Sequence, residues 1–167
     1  MSKQERKKPI YAFIDSQNLN LATRDMGWQL DFRRFKIYLK DKFKVEKAYI
    51  FIGYIKKNES LYANLRRFGY NLIFKPTLEY HKNKKFYTKG NVDAELVLHA
   101  MIECPHYNKA VIVTGDGDFH CLIDYLKRQN KLEKLIVPDR NKFSSLLRKF
   151  APDMAFMNDL RGKLEYK

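Results

Sequence analysis

Four aspartates in this chain of 167 residues occupy positions from which their carboxylates could hold a metal ion. Asp15 ends an apolar run of strand length, and Asp116 and Asp118 follow a second such run. Asp93 begins an apolar stretch with helical periodicity. If the two runs are neighbouring parallel strands, all four carboxylates meet at one end of one sheet. Oxygen ligands of this kind suit hard cations such as Mg²⁺ and Mn²⁺.

Each aspartate taken alone also has a structural explanation. Asp15 and Asp118 could each cap a following helix, and Asp93 suits the positive end of a helix dipole. Asp116 could serve a turn beside Gly117. The set is harder to explain in this way, because two like charges about 5 Å apart cost on the order of 3 kcal/mol at an effective dielectric near 20. A bound cation removes that repulsion, so the four together favour a metal site.

The elements that must position these residues alternate between short apolar runs and longer helical segments, which is typical of an α/β fold with a parallel sheet. The predicted strands are 10–14, 48–54, 70–75, 110–113 and 132–137. The predicted helices are 32–43 behind an Asp31 cap, 58–68, 92–103 behind an Asn91 cap, 119–129 and 143–150. A short edge element at 154–157 and a basic tail complete residues 1–167, which we interpret as one domain with a basic N-terminal tail at 1–8 and a polar insertion at 76–91.

The composition is strongly basic, with 33 Lys and Arg against 19 Asp and Glu and a net charge of +14. Such an excess favours a nucleic-acid partner. Apolar residues make up 45% of the chain, enough for a core without disulfides. Cys104 and Cys121 form no C-x-x-C pair and are predicted to be buried thiols in a reducing compartment. No membrane span or signal peptide is evident, so the prediction is a cytoplasmic protein without a membrane partner.

The insertion interleaves basic and aromatic residues just ahead of Asp93 in the chain. Its lysines could follow a phosphate backbone while the aromatic rings stack on bases, as in single-strand binders. The residues predicted to contact RNA in this way are Lys82, Lys84, Lys85 and Lys89. The alternative is a solvated hairpin whose aromatic rings pack on the domain.

Three strings, 13–19 (FIDSQNL), 89–96 (KGNVDAEL) and 113–119 (VTGDGDF), resemble the motifs of the NYN domain family, a branch of the PIN-like ribonucleases. The resemblance implies a three-layer α/β/α sandwich with a mainly parallel sheet in the strand order 3-2-1-4-5. It also implies an acidic pocket that binds Mg²⁺ or Mn²⁺ and endonucleolytic cleavage of RNA. That strand order puts the switch point, where open α/β sheets bind ligands, between the strands that precede Asp15 and Asp116.

In the family, the aspartates matching Asp15, Asp93, Asp116 and Asp118 are implied to be both metal ligands and catalytic residues. Asn18 and Thr114 are implied to orient ligands or the substrate phosphate. The alternative for these two side chains is hydrogen bonding within a turn and at a strand end.

His99 departs from the family pattern, since many members carry a further aspartate at this point of the second motif. It is expected either to lie on the helix surface, paired with Glu95 one turn earlier, or to be a substitute ligand. The departure leaves the number of metal ions open.

The function predicted is therefore a metal-dependent endoribonuclease acting on single-stranded or structured RNA. The first alternative is an RNA-binding NYN module without catalysis. The second is a Toprim-like nucleic-acid enzyme, which is disfavoured because that fold has Glu where this chain has Asp15. The sequence leaves both a monomer and a homodimer open.

Overall fold

The computed structural model describes residues 6–76, 78–82, 85–89 and 92–167. The strands are β1 (Ile10–Asp15), β2 (Val45–Tyr54), β3 (Asn71–Pro76), β4 (Leu78–Lys82), β5 (Lys85–Lys89), β6 (Lys109–Val113), β7 (Leu132–Val137) and β8 (Met154–Phe156). The helices are α1 (Ser16–Asp25), α2 (Phe32–Phe43), α3 (Glu59–Arg67), α4 (Asp93–Ile102), α5 (His120–Arg128) and α6 (Arg161–Leu164). Short 3₁₀ segments cover Lys56–Asn58, Cys104–His106, Gly117–Phe119, Ser145–Asp153 and Met157–Leu160.

Six strands form one parallel sheet in the order β3-β2-β1-β6-β7-β8. Counted along the sheet strands alone, this order is 3-2-1-4-5-6, so the predicted order is confirmed and the edge element at 154–157 is its sixth strand. Helices cover both faces, as the three-layer sandwich requires. β4 and β5 pair with each other as an antiparallel ribbon outside this sheet.

The two central strands are apolar on both faces because both faces are covered. Every residue of β1 after Ile10 and every residue of β6 after Lys109 is buried. Continuous apolar runs of this kind mark the centre of a parallel sheet. One core lies between the sheet and α4 and α5, and the other between the sheet and α1, α2 and α3.

The sequence predicts the ends of α2 correctly and those of α3 to within one residue. Asp31 caps α2 by accepting a hydrogen bond from the Arg34 backbone N–H at 3.1 Å. α3 ends before Gly69, whose φ of 95° is in the left-handed region that favours glycine. Helix α1 is not placed by periodicity, because among its apolar residues Leu19 is buried while Leu21 is 54% exposed.

The predicted α-helix at 143–150 is wrong in type, since Ser145–Asp153 is a 3₁₀ segment. Its buried residues Leu147 and Phe150 are three positions apart, which is the repeat of a 3₁₀-helix. Ser144 precedes the segment and donates its backbone N–H to the Gly115 carbonyl at 3.1 Å. The segment is therefore held against the loop that carries Asp116.

The predicted basic tail is also corrected, because residues 157–164 fold into a 3₁₀ segment and α6. Leu164 is buried, and Glu165 forms an isolated antiparallel bridge with Leu30. The apolar Leu164 and Met157 join the core beside α2, which holds this end of the chain in place.

The predictions for the cysteines are confirmed in part. Both are free thiols, but Cys121 is exposed and Cys104 is only half-buried, so the prediction of burial is wrong for Cys121. Helix α5 turns Leu122, Ile123 and Leu126 inward, and Cys121 precedes this buried stripe on the outer side. Among the described residues, no helix combines the length and apolar character that crossing a membrane requires.

The insertion at 76–91 forms the β4–β5 ribbon in its described part. The side chains of Lys82, Lys85 and Lys89 lie outside the described part of the structure, as do all of Lys84 and the predicted cap Asn91. The predicted RNA contacts of these lysines therefore stay predictions. The first five residues of the predicted N-terminal tail also lie outside the described residues.

Candidate metal centre

Two neighbouring strands and one helix bring three aspartates together. Asp15 is the last residue of β1, and Asp116 follows β6, which pairs with β1 in parallel. Asp93 is the first residue of α4, which packs against β1 and buries Leu96 and Ala100 in the core. The strand order reverses between β1 and β6, which is where open α/β sheets bind their ligands.

One carboxylate oxygen from each of Asp15, Asp93 and Asp116 lies within 4.8 Å of the other two. Asp15 is only 4% exposed, whereas the other two are half-buried, so the group has a closed side and an open side. All three donors are hard oxygen atoms, without imidazole or thiolate. This donor set fits Mg²⁺ or Mn²⁺.

A chain of hydrogen bonds fixes the loop after β6 against the end of β1. The Thr114 hydroxyl donates to Asp15 Oδ2 at 3.0 Å and accepts the Asp116 backbone N–H at 3.1 Å. The Gly115 backbone N–H donates to Asn18 Oδ1 at 2.8 Å. Asn18 and Thr114 are thus at the site, where they hold its backbone and its buried carboxylate.

Gly117 allows the loop to approach the segment behind it. A Cβ at this position would lie 2.2 Å from Ser144 Oγ and 2.8 Å from Ser144 Cβ. Contacts this close require a shift of the backbone, so an alanine at position 117 would displace the loop that carries Asp116.

The capping explanation is correct for Asp15 and the turn explanation is correct for Asp116, and neither excludes a metal. Asp15 caps α1 by accepting the Asn18 N–H, and Asp116 Oδ1 accepts the Asp118 N–H at 2.9 Å. Asp118 itself caps nothing, since α5 begins after Phe119 without a capping side chain. Each of the two capping carboxylates keeps a further acceptor site, because a carboxylate offers about four lone-pair positions.

The pKa of Asp15 is raised from its ordinary value of 3.8 to about 6, mainly by burial and to a smaller extent by the charges of Asp93 and Asp116. The hydrogen bonds from Asn18 and Thr114 act in the opposite direction, since they stabilise the carboxylate. Because Asp15 is buried, water solvates its carboxylate charge poorly in the folded protein. A cation beside Asp15 would compensate both the burial and the repulsion.

The predicted ligand Asp118 is outside the carboxylate group, and so is His99, for which a role as a substitute ligand was one of two alternatives. Asp118 is exposed and is not among the aspartates within 4.8 Å of one another. His99 is half-buried, with its ring 5.7 Å from the Phe51 ring, and is likewise not in the group. The expected pairing of Glu95 with His99 is replaced by an ion pair with Lys75 at 3.9 Å.

One buried carboxylate was not singled out from the sequence. Asp139 follows β7 and is 5% exposed. It accepts hydrogen bonds from the Asn141 backbone N–H at 3.0 Å and from Asn158 Nδ2 at 3.3 Å. Its strand-end position is the same signal that marks Asp15, but here the side chain closes a turn.

Replacing Thr114 with valine should destabilise the protein by about 1–3 kcal/mol. Valine keeps the volume but removes the hydroxyl, which leaves the buried Asp15 Oδ2 and the Asp116 N–H without their shared partner. Urea unfolding of the two variants Thr114→Val and Thr114→Ser measures the effect. Serine keeps the hydroxyl and should recover most of the lost stability. Equal stability of the wild type and both variants would contradict the role of the Thr114 hydroxyl as a shared hydrogen-bond partner.

The sheet order and the acidic group at its switch point are those that the resemblance to the NYN family implies. The family model of the NYN domain matches residues 9–158. The chain belongs to the NYN domain family, which is a family of PIN-like nucleases. This membership removes the Toprim-like alternative.

Two individual proteins resemble the chain over nearly its whole length. The low amplitude and bright protein LabA of Synechococcus elongatus is 26% identical over 167 residues, which is 96% of this chain and 89% of LabA. The crystal structure of a protein of unknown function from Vibrio parahaemolyticus superposes with a TM-score of 0.76 at 23% identity. The superposition covers 99% of this chain and 100% of the Vibrio chain. This similarity supports the fold alone.

Proposed function

We propose that this protein is a metal-dependent endoribonuclease, and the group of Asp15, Asp93 and Asp116 is the observation that carries the proposal. Three acidic oxygens within 4.8 Å of one another, one of them on a buried carboxylate, are costly unless a cation joins them. The family is one of nucleases, and the rest of the chain has the positive charge that suits a polyanion.

In this proposal Asp15, Asp93 and Asp116 hold one or two ions of Mg²⁺ or Mn²⁺. Such an ion would polarise a phosphoryl oxygen and lower the pKa of a water molecule, so that no histidine or lysine base would be required. Thr114 and Asn18 keep the carboxylates and the loop in place for this task. The exposed Asp118 is proposed to act at the open side of the site, as an outer ligand or on the attacking water.

The proposed substrate is RNA, bound in part by the insertion that leads into α4. Lys82, Lys84, Lys85 and Lys89 are proposed to contact the phosphate backbone, with aromatic side chains between them to stack on bases. This segment ends just before Asp93 in sequence, so a strand lying along it would reach the carboxylates.

Replacing Lys82, Lys84 and Lys85 together with alanine should weaken RNA binding in a salt-dependent way. Each lost contact to a single strand lowers the slope of log K against log salt by about 0.7, so the slope should fall by up to ~2. Fluorescence anisotropy with a labelled single-stranded RNA, measured at several salt concentrations, gives this slope.

The matched control removes the same charge at Lys127, Lys134 and Lys149, which lie on other elements. Its slope should stay close to that of the wild type. Equal slopes for the two triple variants would mean that the insertion contributes only net charge and makes no specific contact with the backbone.

Cleavage of end-labelled RNA tests the proposed function directly. The expected result is internal cleavage of RNA with Mn²⁺ or Mg²⁺, no cleavage in EDTA, and much slower cleavage of DNA of the same sequence. Binding of RNA without cleavage under every metal condition would instead support the second candidate, an RNA-binding module without catalysis. Two observations favour that candidate: His99 stands where many family members have an acid, and Asp118 is outside the carboxylate group.

We also propose a cytoplasmic location. Both cysteines are free, and the exposed Cys121 would be open to oxidation in a secreted protein. An RNA substrate is also available in that compartment.

A further inference from the structure

A cavity of about 320 Å³ opens beside the metal centre, between the first turns of α1 and the connection from β2 to α3. Ser16 lines it and directly follows Asp15, while Gly53 and Ile55 line it from the end of β2. Asp15 and Phe51 are partners in the β1–β2 register, so the cavity lies at the same edge of the sheet as the carboxylates. Its volume is within the range of ligand sites, about 300–1,000 Å³.

The wall formed by the end of β2 is fixed by a buried tyrosine. Tyr62 on α3 is completely buried, and its hydroxyl donates to the Gly53 carbonyl at 3.2 Å. The same hydroxyl accepts the Ile55 backbone N–H at 2.9 Å. These bonds fix the backbone of this one wall, from Gly53 to Ile55, without an occupant.

Three side-chain amides face this cavity, and two of them make no hydrogen bond within the described residues. Asn58 occupies the N-cap position of α3, yet its side chain makes no capping bond. Gln17 is exposed on the first turn of α1. Asn20 donates one hydrogen bond from Nδ2 to Ser16 Oγ at 3.3 Å. Asparagine is a favoured N-cap, so the absence of a cap at Asn58 leaves its donors and acceptor for a ligand.

The remaining walls are apolar apart from one cation. Leu21 and Leu61 are 54% and 37% exposed, and both line the cavity. Arg24 lines it on the α1 side and forms no ion pair with any described residue, whereas its neighbour Asp25 pairs with Lys142 at 3.9 Å. Apolar walls, three amides and one guanidinium without an ion pair among the described residues match a nucleotide, with its ring faces, base edge and phosphate.

We infer that this cavity binds one nucleotide of a single-stranded RNA, next to the phosphate that is cleaved. The base lies between Leu21 and Leu61, and the amides of Asn20 and Asn58 contact its polar edge, while Arg24 contacts a flanking phosphate. A base within a duplex would be paired and stacked, so the strand must be unpaired here. This inference rests on the proposed function, because the same strand places its neighbouring phosphate at the aspartates.

Nuclear magnetic resonance in EDTA tests the cavity without any cleavage. The side-chain amide signals of ¹⁵N-labelled protein, assigned by substitution, are followed during titration with pentanucleotides of A, C or U. The signals of Asn20 and Asn58 should shift until they saturate. For one of the three bases, saturation should be reached at a lower pentanucleotide concentration than for the other two. The amide of Asn64, which is exposed on α3 and does not line the cavity, should not move.

Binding of the preferred pentanucleotide to matched variants gives the second measurement. Asn58→Ala should weaken binding about tenfold, the effect of losing a hydrogen bond to a base, and should reduce the preference among bases. Asn64→Ala, a substitution of the same type on the helix that Asn58 precedes, should bind like the wild type. Circular dichroism melts confirm that both variants are folded, and Asn58→Gln provides a second variant with an amide if Asn58→Ala unfolds.

The outcomes separate this inference from the proposed nuclease activity. The nucleotide site is overturned if the amide signals of Asn20 and Asn58 do not shift, or if Asn58→Ala and Asn64→Ala bind equally well. This holds even if RNA is cleaved with Mn²⁺. Shifts at these amides together with a selective loss in Asn58→Ala establish the site. They do so even if no metal supports cleavage, in which case the nuclease proposal fails alone.

Discussion

Replacing Asp116 with asparagine is expected to lower the rate of RNA cleavage by more than about a hundredfold. Residues that only support a metal ligand already cost 10–100-fold when removed, and Asp116 is proposed to be a ligand itself. Asparagine keeps the volume, and its Oδ1 can still accept the Asp118 N–H that Asp116 Oδ1 accepts now. The loop should therefore stay in place while one negative charge leaves the centre. Single-turnover cleavage of a labelled RNA in Mn²⁺ measures the effect.

Two further variants set the scale for this result. Asp41→Asn removes the same charge from the exposed surface of α2 and should cleave at the wild-type rate. Asp118→Asn should fall between the two, because Asp118 is exposed and outside the carboxylate group. Cleavage by Asp116→Asn at the wild-type rate, in protein free of contaminating nuclease, would eliminate the proposed centre.

The stability of the metal-free protein should depend on pH through Asp15, with a penalty that grows as the pH rises. Its pKa is about 6 in the folded protein and near 3.8 when unfolded, so below about pH 4 the carboxyl is protonated in both states. Between pH 4 and 6 the unfolded chain loses this proton first, and that favours unfolding. At about 1.4 kcal/mol for each pKa unit, the ionised Asp15 should lower the free energy of unfolding by up to about 3 kcal/mol above pH 6.

The variant Asp15→Asn isolates this contribution from all other titrating groups. Its amide can donate to the Thr114 hydroxyl, so the local structure should persist without the charge. In EDTA the variant should therefore become more stable relative to the wild type as pH rises from 4 to 7. Denaturant unfolding at several pH values gives the difference, and a constant difference would show that Asp15 titrates normally.

Metal binding should have the opposite dependence on pH. The cation must displace the proton from Asp15, so its apparent affinity should fall about tenfold for each pH unit below 6. At a hundred times the dissociation constant, Mn²⁺ should stabilise the wild type by ~2.7 kcal/mol near neutral pH. Thermal melts with Mn²⁺ should show this shift at pH 7, a smaller one at pH 5, and none in Asp15→Asn.

The sheet could be predicted from the sequence because its strands are short apolar runs between clear stops. β7 has the predicted bounds, and β1, β3 and β6 differ from theirs by a residue at one or both ends. The order of the strands came from the resemblance to the NYN family. Helix α1 carries too little apolar pattern to be placed by periodicity, although Asp15 is a possible cap for a helix there.

Side-chain exposure was harder to predict than the elements themselves. Asp116 and Asp118 are two residues apart in a string of alternating glycines and aspartates, and both were expected in the centre. The 3₁₀ turn Gly117–Phe119 separates them, because Asp116 caps the turn while Asp118 lies on its exposed side. Asp139 shows the converse, since the same strand-end signal gives a carboxylate that closes a turn and accepts a hydrogen bond from Asn158.

Asp15, Asp93 and Asp116 are proposed to hold a divalent cation together. Anomalous diffraction from a crystal soaked in Mn²⁺ at neutral pH tests this most directly, with a crystal of Asp116→Asn treated in the same way. The wild type should show an anomalous peak at about 2.0–2.3 Å from oxygens of these three carboxylates, typical of hard cations with oxygen ligands. The variant should show a weaker peak or none. A wild-type crystal without a peak there, from protein that still cleaves RNA with Mn²⁺, would contradict the proposed centre.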